Sequence, residues 1–336
     1  MRRPVSRPLV FCCDAEYAPA TLVCLTSVFL NSPTVAFDTY WVTSTRNCAR
    51  NPAVVSAVEK LSSTFSRNVS IVSVDDSCFD NFKKPILPYL GNIAYTRLLI
   101  PDIIDSPSFI YLDSDIIVQE TLEPLFLLDL ENNVIAGVTN GTEGYKKRLG
   151  MGADEEYINT GVTIVNSEIW RKERVLDALL DWYARNADLV QLSSQDMVNA
   201  VLAGRKKYLA GKWNTQLHVQ SPEAYREFDE DVFRGVFHFT GMQKPWHSNA
   251  LPKHRALYEK YARVSPLRMP KVIAAATPSR DTYFSNGRFH LPARIARIGP
   301  KLRTFAKIAW PGAARFPWMG SKDIGKTDLG NDREAS

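Results

Sequence analysis

Short apolar runs alternate along the chain with segments whose apolar residues recur at helical spacing. Leu9–Cys13 (LVFCC) is a β-prone run that stops at Asp14. Leu22, Leu25, Val28 and Phe29 then set a helical pattern over Ala18–Leu30, and Phe37–Thr43 reads as a second strand. Asn51-Pro52 predicts a helix running to Phe65, with proline at its first position, and Asn68–Val74 reads as a third strand. This β-α-β-α-β rhythm predicts a parallel, doubly wound sheet. Farther on, Ala94–Ile104 is helical in pattern, while Phe109–Leu112, Val134–Thr139 and Val162–Val165 are strand candidates. Glu168–Asn186 is predicted as one long helix and Gln195–Leu202 as another. The core is expected to close near Tyr261, which divides the chain into a main domain over residues 1–262 and a C-terminal region over 263–336.

The 336 residues are 45% hydrophobic and 23% charged, a globular composition rather than a disordered or fibrous one. Charges interrupt every apolar run before the ~18 residues that a membrane span needs. The basic opening stretch has too few apolar residues for a secretory signal. Cys12, Cys13, Cys24, Cys48 and Cys78 are odd in number and form no C-x-x-C pair, so free thiols and a cytoplasmic location are expected. Charge changes the picture at the C-terminal end. From Arg263 onward there are 14 Lys+Arg against 5 Asp+Glu, an excess of nine positive charges, while the rest of the chain is mildly acidic. Within Ala293–Trp310, Ile295, Ile298, Leu302, Phe305 and Ala309 share one helical face and Arg294, Arg297, Lys301, Arg303 and Lys307 the other. That pattern suits either attachment to an anionic membrane surface or a terminal helix with a solvated basic face. It carries no aromatic ladder or groove-reading motif, so no nucleic-acid partner is expected.

Tyr111-Leu112-Asp113-Ser114-Asp115 is the first chemical signal. An apolar strand delivers two carboxylates, one residue apart, to its C-terminal end, where open α/β sheets bind ligands. Such a pair suits Mg²⁺ or Mn²⁺ bridging to a diphosphate, although D-x-D also occurs in ordinary surface turns. The second signal is His238-Phe239-Thr240-Gly241-Met242-Gln243-Lys244, a segment suited to a loop around phosphate. His238 would complete a metal site and favour Mn²⁺, Gly241 would let backbone approach an anion, and Lys244 would supply a point charge. Other candidates carry less. Cys12-Cys13 reads as core packing, Asp75-Asp76 as a loop or helix cap, and His218, His254 and His290 as structural or exposed. Trp246 and His247 read as pocket wall, and Glu143–Met151 as a lid or a solvated loop. No Walker or dinucleotide fingerprint is present, and CCDAEYA stands where a sugar-phosphate nucleotidyltransferase would carry a glycine-rich loop.

Seven segments together resemble glycosyltransferase family 8, and most of all its bacterial lipopolysaccharide α-galactosyl- and α-glucosyltransferases. They are Val10–Ala18, Ala94–Ile104, Tyr111–Val118, Glu143–Met151, Tyr157–Asn166, Ser194–Ala200 and His238–His247, in the family's order. The resemblance implies an α/β GT-A fold, a single doubly wound mixed sheet flanked by helices, with the basic region as a helical extension. It implies a retaining hexosyltransferase that moves galactose or glucose from a UDP-hexose to a glycan or glycolipid acceptor such as lipopolysaccharide core. By resemblance, Asp113, Asp115 and His238 would hold Mn²⁺ or Mg²⁺. Asp14 and Tyr17 would contact uridine, Arg97 the donor sugar and phosphates, and Gly241 and Lys244 the pyrophosphate, with Ser114 also on the donor side. Asn159, in an N-T-G turn, and Gln195 would line the sugar as the catalytic pair. The chain departs from the family at Ser194, where an acidic residue is usual, and at Glu16, Asn140 and Thr160. Ser194 keeps open the alternative of an inactive nucleotide-sugar or carbohydrate-binding protein with the same fold. With the basic region, the expected location is the inner face of the cell membrane.

Overall fold

The structure is a computed structural model that describes residues 8–45, 51–83, 92–141, 143–217, 234–241 and 243–267. Its strands are β1 (Pro8–Cys12), β2 (Asp38–Ser44), β3 (Val69–Val74), β4 (Ser108–Leu112), β5 (Ile116–Val118), β6 (Ile135–Thr139), β7 (Ile158–Asn166), β8 (Lys206–Tyr208), β9 (Thr215–Gln216) and β10 (Val236–His238). Seven of them form a mixed sheet in the order β3-β2-β1-β4-β7-β6-β8. β1 to β4 run parallel, and β7 lies antiparallel between β4 and β6. The strand order reverses between β1 and β4, so the crevice outside their carboxyl ends is the ligand position expected of such a sheet. Asp14 follows β1 and Asp113 follows β4, which sets both at that crevice.

Side-chain alternation builds the core on both faces. Leu9 and Phe11 of β1, with Ile110 and Leu112 of β4, pack under the helices Ala18–Asn31 and Pro52–Phe65. Val10, Cys12, Phe109 and Tyr111 point the other way, into a core with Tyr95, Trp170, Leu179 and Met197. The Pro52–Phe65 helix starts as the sequence predicts: Asn51 Oδ1 accepts from the Ala53 amide at 2.9 Å, and proline follows at the first helical position.

Three expectations are corrected. The helix predicted over 168–186 is two, Ser167–Lys172 and Val175–Asn186, because Arg174 adopts a left-handed conformation (φ 54°) between them. The stretch over 94–104 is three short helical pieces rather than one helix. Asn159-Thr160-Gly161 is not a turn but part of β7, opposite an irregularity in β6 between Gly137 and Val138. A second sheet, β5-β10-β9, stands beside the main one and was not predicted. It packs through Ile117, Phe237 and Phe239 against Leu257, Tyr258 and Tyr261 of the Pro252–Ala262 helix.

No described helix is long and apolar enough to cross a membrane. Cys12, Cys13, Cys24 and Cys78 are free thiols. Cys48, His218, Met242, His290 and the basic segment 293–310 lie outside the described residues.

Candidate active site

The small sheet is what assembles the site. Asp115 leads directly into β5, and β10 pairs antiparallel to β5 with His238 opposite Ile116. The Phe239 amide donates to the Asp115 carbonyl at 2.9 Å. Backbone pairing therefore carries an imidazole from far along the chain to the end of β4. On the other side, the Asp113 amide donates to the Gly161 carbonyl of β7 at 2.8 Å. His238 Nε2 lies 3.2 Å from Asp115 Oδ1 and 3.7 Å from Asp113 Oδ2. One donor atom from each of Asp113, Asp115 and His238 falls within 4.8 Å of the others. Two carboxylates and one imidazole at this spacing fit a single divalent cation.

The backbone around the cluster is shaped to it. A Cβ on Gly161 would meet His238 Cε1 at 2.2 Å and Asp113 Oδ2 at 2.7 Å. Only glycine lets β7 run this close to His238 and Asp113. The carboxylates are held by cations and hydroxyls. Asp113 Oδ1 accepts from Arg97 at 2.9 Å and from the Tyr111 hydroxyl at 2.8 Å. The Arg97 guanidinium lies 4.6 Å from the Tyr111 ring centroid and also reaches the Thr160 carbonyl at 3.2 Å. Burial opposes the charge on Arg97, but the Asp113 carboxylate outweighs it and raises the guanidinium above its ordinary value. Asp115 Oδ2 pairs with the ammonium of Lys244, which also donates to the Phe239 carbonyl at 2.9 Å. Burial by itself would push the Asp115 carboxyl up; the Lys244 ammonium outweighs it and holds it well below the usual carboxylate range.

The other residues expected from the sequence surround this centre. Asp14 Oδ1 accepts from the Glu16 and Tyr17 amides at 3.1 Å each, fixing the turn that starts the first helix. The Tyr17 ring meets Trp246 edge-on, with centroids 6.2 Å apart. Its hydroxyl is pushed up by burial and by the nearby charge of Asp115. Ser114 Oγ accepts from the Thr21 hydroxyl at 2.8 Å. Gly241 takes a left-handed conformation (φ 82°), and a Cβ there would meet nothing within 4 Å. His247 Nδ1 accepts from the Lys244 amide at 3.3 Å, so it shapes the loop as expected of a wall residue.

Gln195 and Asn159 are locked by networks. Gln195 Oε1 accepts from the Thr160 amide at 3.0 Å, and its Nε2 donates to the Tyr157 hydroxyl at 3.0 Å. Tyr157 donates in turn to Asp196 at 2.7 Å, and Arg148 makes a bidentate pair with Asp196 at 2.9 and 3.0 Å. Glu143–Met151 is thus not a solvated loop: Glu143–Leu149 is a helix pinned by Arg148. Ser194 Oγ donates to the Ala94 carbonyl at 2.6 Å. Of the acidic pair at 75–76, Asp75 caps the turn at Ser77, while Asp76 is buried and accepts from Ser44 and Thr96 at 2.7 and 2.8 Å. The Cys12 and Cys13 thiols are buried, and burial pushes Cys13 up to about 12, which suits packing rather than nucleophilic chemistry.

Sequence reasoning missed Asn214, Gly161 and Tyr111. Tyr111 and Gly161 flank recognised positions and were legible as neighbours of Asp113 and Asn159. Asn214 had no such signal. It is the last residue of a short helical turn, Gly211–Asn214, and bonds to both His238 and Asn159.

Residues 8–250 match the family model described as Glycosyl transferase family 8. A "Putative glycosyltransferase" of Haemophilus influenzae is 23% identical over 256 residues, covering 71% of this chain and 72% of that protein. The lipopolysaccharide 1,2-glucosyltransferase of Escherichia coli K12 is 21% identical over 249 residues, again covering 71% of this chain and 72% of the other. Among solved structures, the galactosyltransferase LgtC, crystallised with donor and acceptor sugar analogues, superposes with a TM-score of 0.65 at 24% identity, covering 76% of this chain and 95% of LgtC. That likeness establishes a shared GT-A fold.

Proposed function

Because the chain belongs to glycosyl transferase family 8 and is a glycosyltransferase, we propose that it moves galactose or glucose from a UDP-hexose to a glycan or glycolipid hydroxyl, with retention at the anomeric carbon and dependence on Mn²⁺ or Mg²⁺. The observation that carries this reading is the convergence of Asp113, Asp115 and His238 at the sheet's ligand crevice. The named activities of LgtC and the Escherichia coli relative support a hexose donor.

A divalent ion bound by the three side chains would supply Lewis-acid stabilisation of the departing diphosphate. Lys244, buried beside Asp115, is the cation that would turn to the pyrophosphate, with Gly241 letting the loop backbone approach it. Asp14, Tyr17 and Ser114 form the uridine side, and Arg97 the phosphate and sugar side. Asn159 Oδ1 already accepts from the Gly161 amide and from Asn214, so its Nδ2 is the group it offers a sugar hydroxyl. Gln195 presents its amide oxygen under the constraint of Tyr157 and Thr160, where it would face the positive charge developing on the sugar ring. Retention then follows from front-face attack. The bond from the anomeric carbon to phosphate breaks, the acceptor oxygen bonds on the same face, and its proton passes to the departing phosphate oxygen.

The acceptor class proposed is the lipopolysaccharide core or a similar lipid-linked glycan. The basic region 263–336 would hold the enzyme at the anionic inner face of the membrane where that acceptor lies. A panel of UDP-sugars with Mn²⁺ and glycan acceptors tests the reading. UDP release from UDP-galactose or UDP-glucose is the expected result; nucleotide binding without turnover of any donor would refute it.

A further inference from the structure

We infer that Asn214 is a positioning residue that fixes the imidazole tautomer of His238, and with it the strength of the divalent-cation site; this rests on reading Asp113, Asp115 and His238 as that site. One backbone group near His238 has no choice of direction. The Gly161 N–H donates to Asn159 at 2.9 Å, so the atom it meets must be the amide oxygen. That oxygen also faces an amide atom of Asn214 at 2.9 Å, which must therefore be the Asn214 NH₂. The remaining Asn214 atom is the oxygen, and it lies 3.0 Å from His238 Nδ1. An amide oxygen only accepts, so Nδ1 carries the proton, and in the neutral ring Nε2 presents its lone pair to Asp113 and Asp115. A chain of three hydrogen bonds thus transmits the orientation of one peptide N–H in β7 to the ligating nitrogen.

The competing tautomer has a ready partner. Nε2 lies 3.2 Å from Asp115 Oδ1, so an Nε2–H would donate to that carboxylate. In that form the imidazole presents a proton where the cation needs a lone pair, and one Asp115 oxygen is engaged as well. Asn214 opposes this by making the Nδ1–H form the one that satisfies a buried acceptor. Asn214 is 1% exposed and His238 4%, so water offers no substitute partner at Nδ1. Second partners of metal-bound histidines act in this way, and their loss typically weakens binding about 10- to 100-fold.

The experiment uses the full chain and Mn²⁺ alone, with free Mn²⁺ measured by electron paramagnetic resonance in the wild type, Asp115→Asn and Asn214→Leu. The expected result is Mn²⁺ binding in the wild type that Asp115→Asn abolishes and Asn214→Leu weakens about 10- to 100-fold. Equal affinity in the wild type and Asn214→Leu overturns the inference while leaving the cation site standing. Binding that ignores Asp115→Asn, or no binding, overturns the cation site and the inference together. Because Asn214→Leu removes a buried polar link and can impair folding, long-range ¹H–¹⁵N correlation of the imidazoles in metal-free wild type supplies a second test. His238 is expected in the Nδ1–H form; an Nε2–H form overturns the inference without any substitution.

Discussion

At the scale of single residues, the site is a set of atoms brought so close that most replacements collide or leave a charge exposed. Asp115 both faces His238 and receives the Lys244 ammonium. Asp115→Asn keeps the shape and removes the charge, so Mn²⁺ binding and with it Mn²⁺-dependent transfer should be abolished. Wild-type initial rates in that variant would refute the assignment. Gly161→Ala adds one methyl 2.2 Å from His238 Cε1. Forcing it in should cost about 1–3 kcal/mol in urea unfolding and displace His238 from the carboxylates. A variant with the wild-type urea midpoint, or one that keeps full metal-dependent activity, would contradict this.

At the scale of elements, hydrogen-bonded partners decide what the sequence leaves open. β1 to β4 and their helices were legible because each is a local pattern: apolar runs of strand length, helical spacing, and Asn51-Pro52 at a helix start. The small sheet was not legible. β5, β9 and β10 are three, two and three residues long and form only because they pair with one another across long stretches of chain. The metal trio was readable from motif resemblance, but the pairing of His238 with Ile116 that brings it to Asp115 is a tertiary fact. The break at Arg174 was equally hidden, since a left-handed arginine carries no sequence mark.

Two predictions belong to this scale. Asp196 has no exposed surface and is held by Arg148, Tyr157 and the amides of Gln191 and Leu192. Arg148→Met would leave that carboxylate without its cation and should cost about 3–5 kcal/mol by denaturant titration; a change below 1 kcal/mol would contradict this. On the Pro252–Ala262 helix, burial pushes His254 down to about 4 while its ring packs on Phe239 at 5.5 Å. The unfolded chain binds the His254 proton from about pH 6.5, the folded chain only near 4. Stability should therefore be full above that upper pH and decline as pH falls toward the lower one. His254→Gln should flatten the urea midpoint against pH across this window; an unchanged slope would assign the dependence to other groups.

At the scale of the whole molecule, a sheet whose strand order reverses beside the site is joined in sequence to a strongly basic C-terminal region. A chain ending at Pro270 should keep its activity on soluble acceptors and lose its binding to anionic vesicles; vesicle binding equal to that of the full chain would remove the basic region from the account. The central claim, however, concerns one point in space. Anomalous scattering at the manganese edge from crystals grown with Mn²⁺ and UDP locates it directly. The account predicts a single peak bonded to the Asp113 and Asp115 carboxylates and to His238 Nε2, in contact with the diphosphate. A peak that omits any of the three side chains, or no peak in the crevice between β1 and β4, would contradict it.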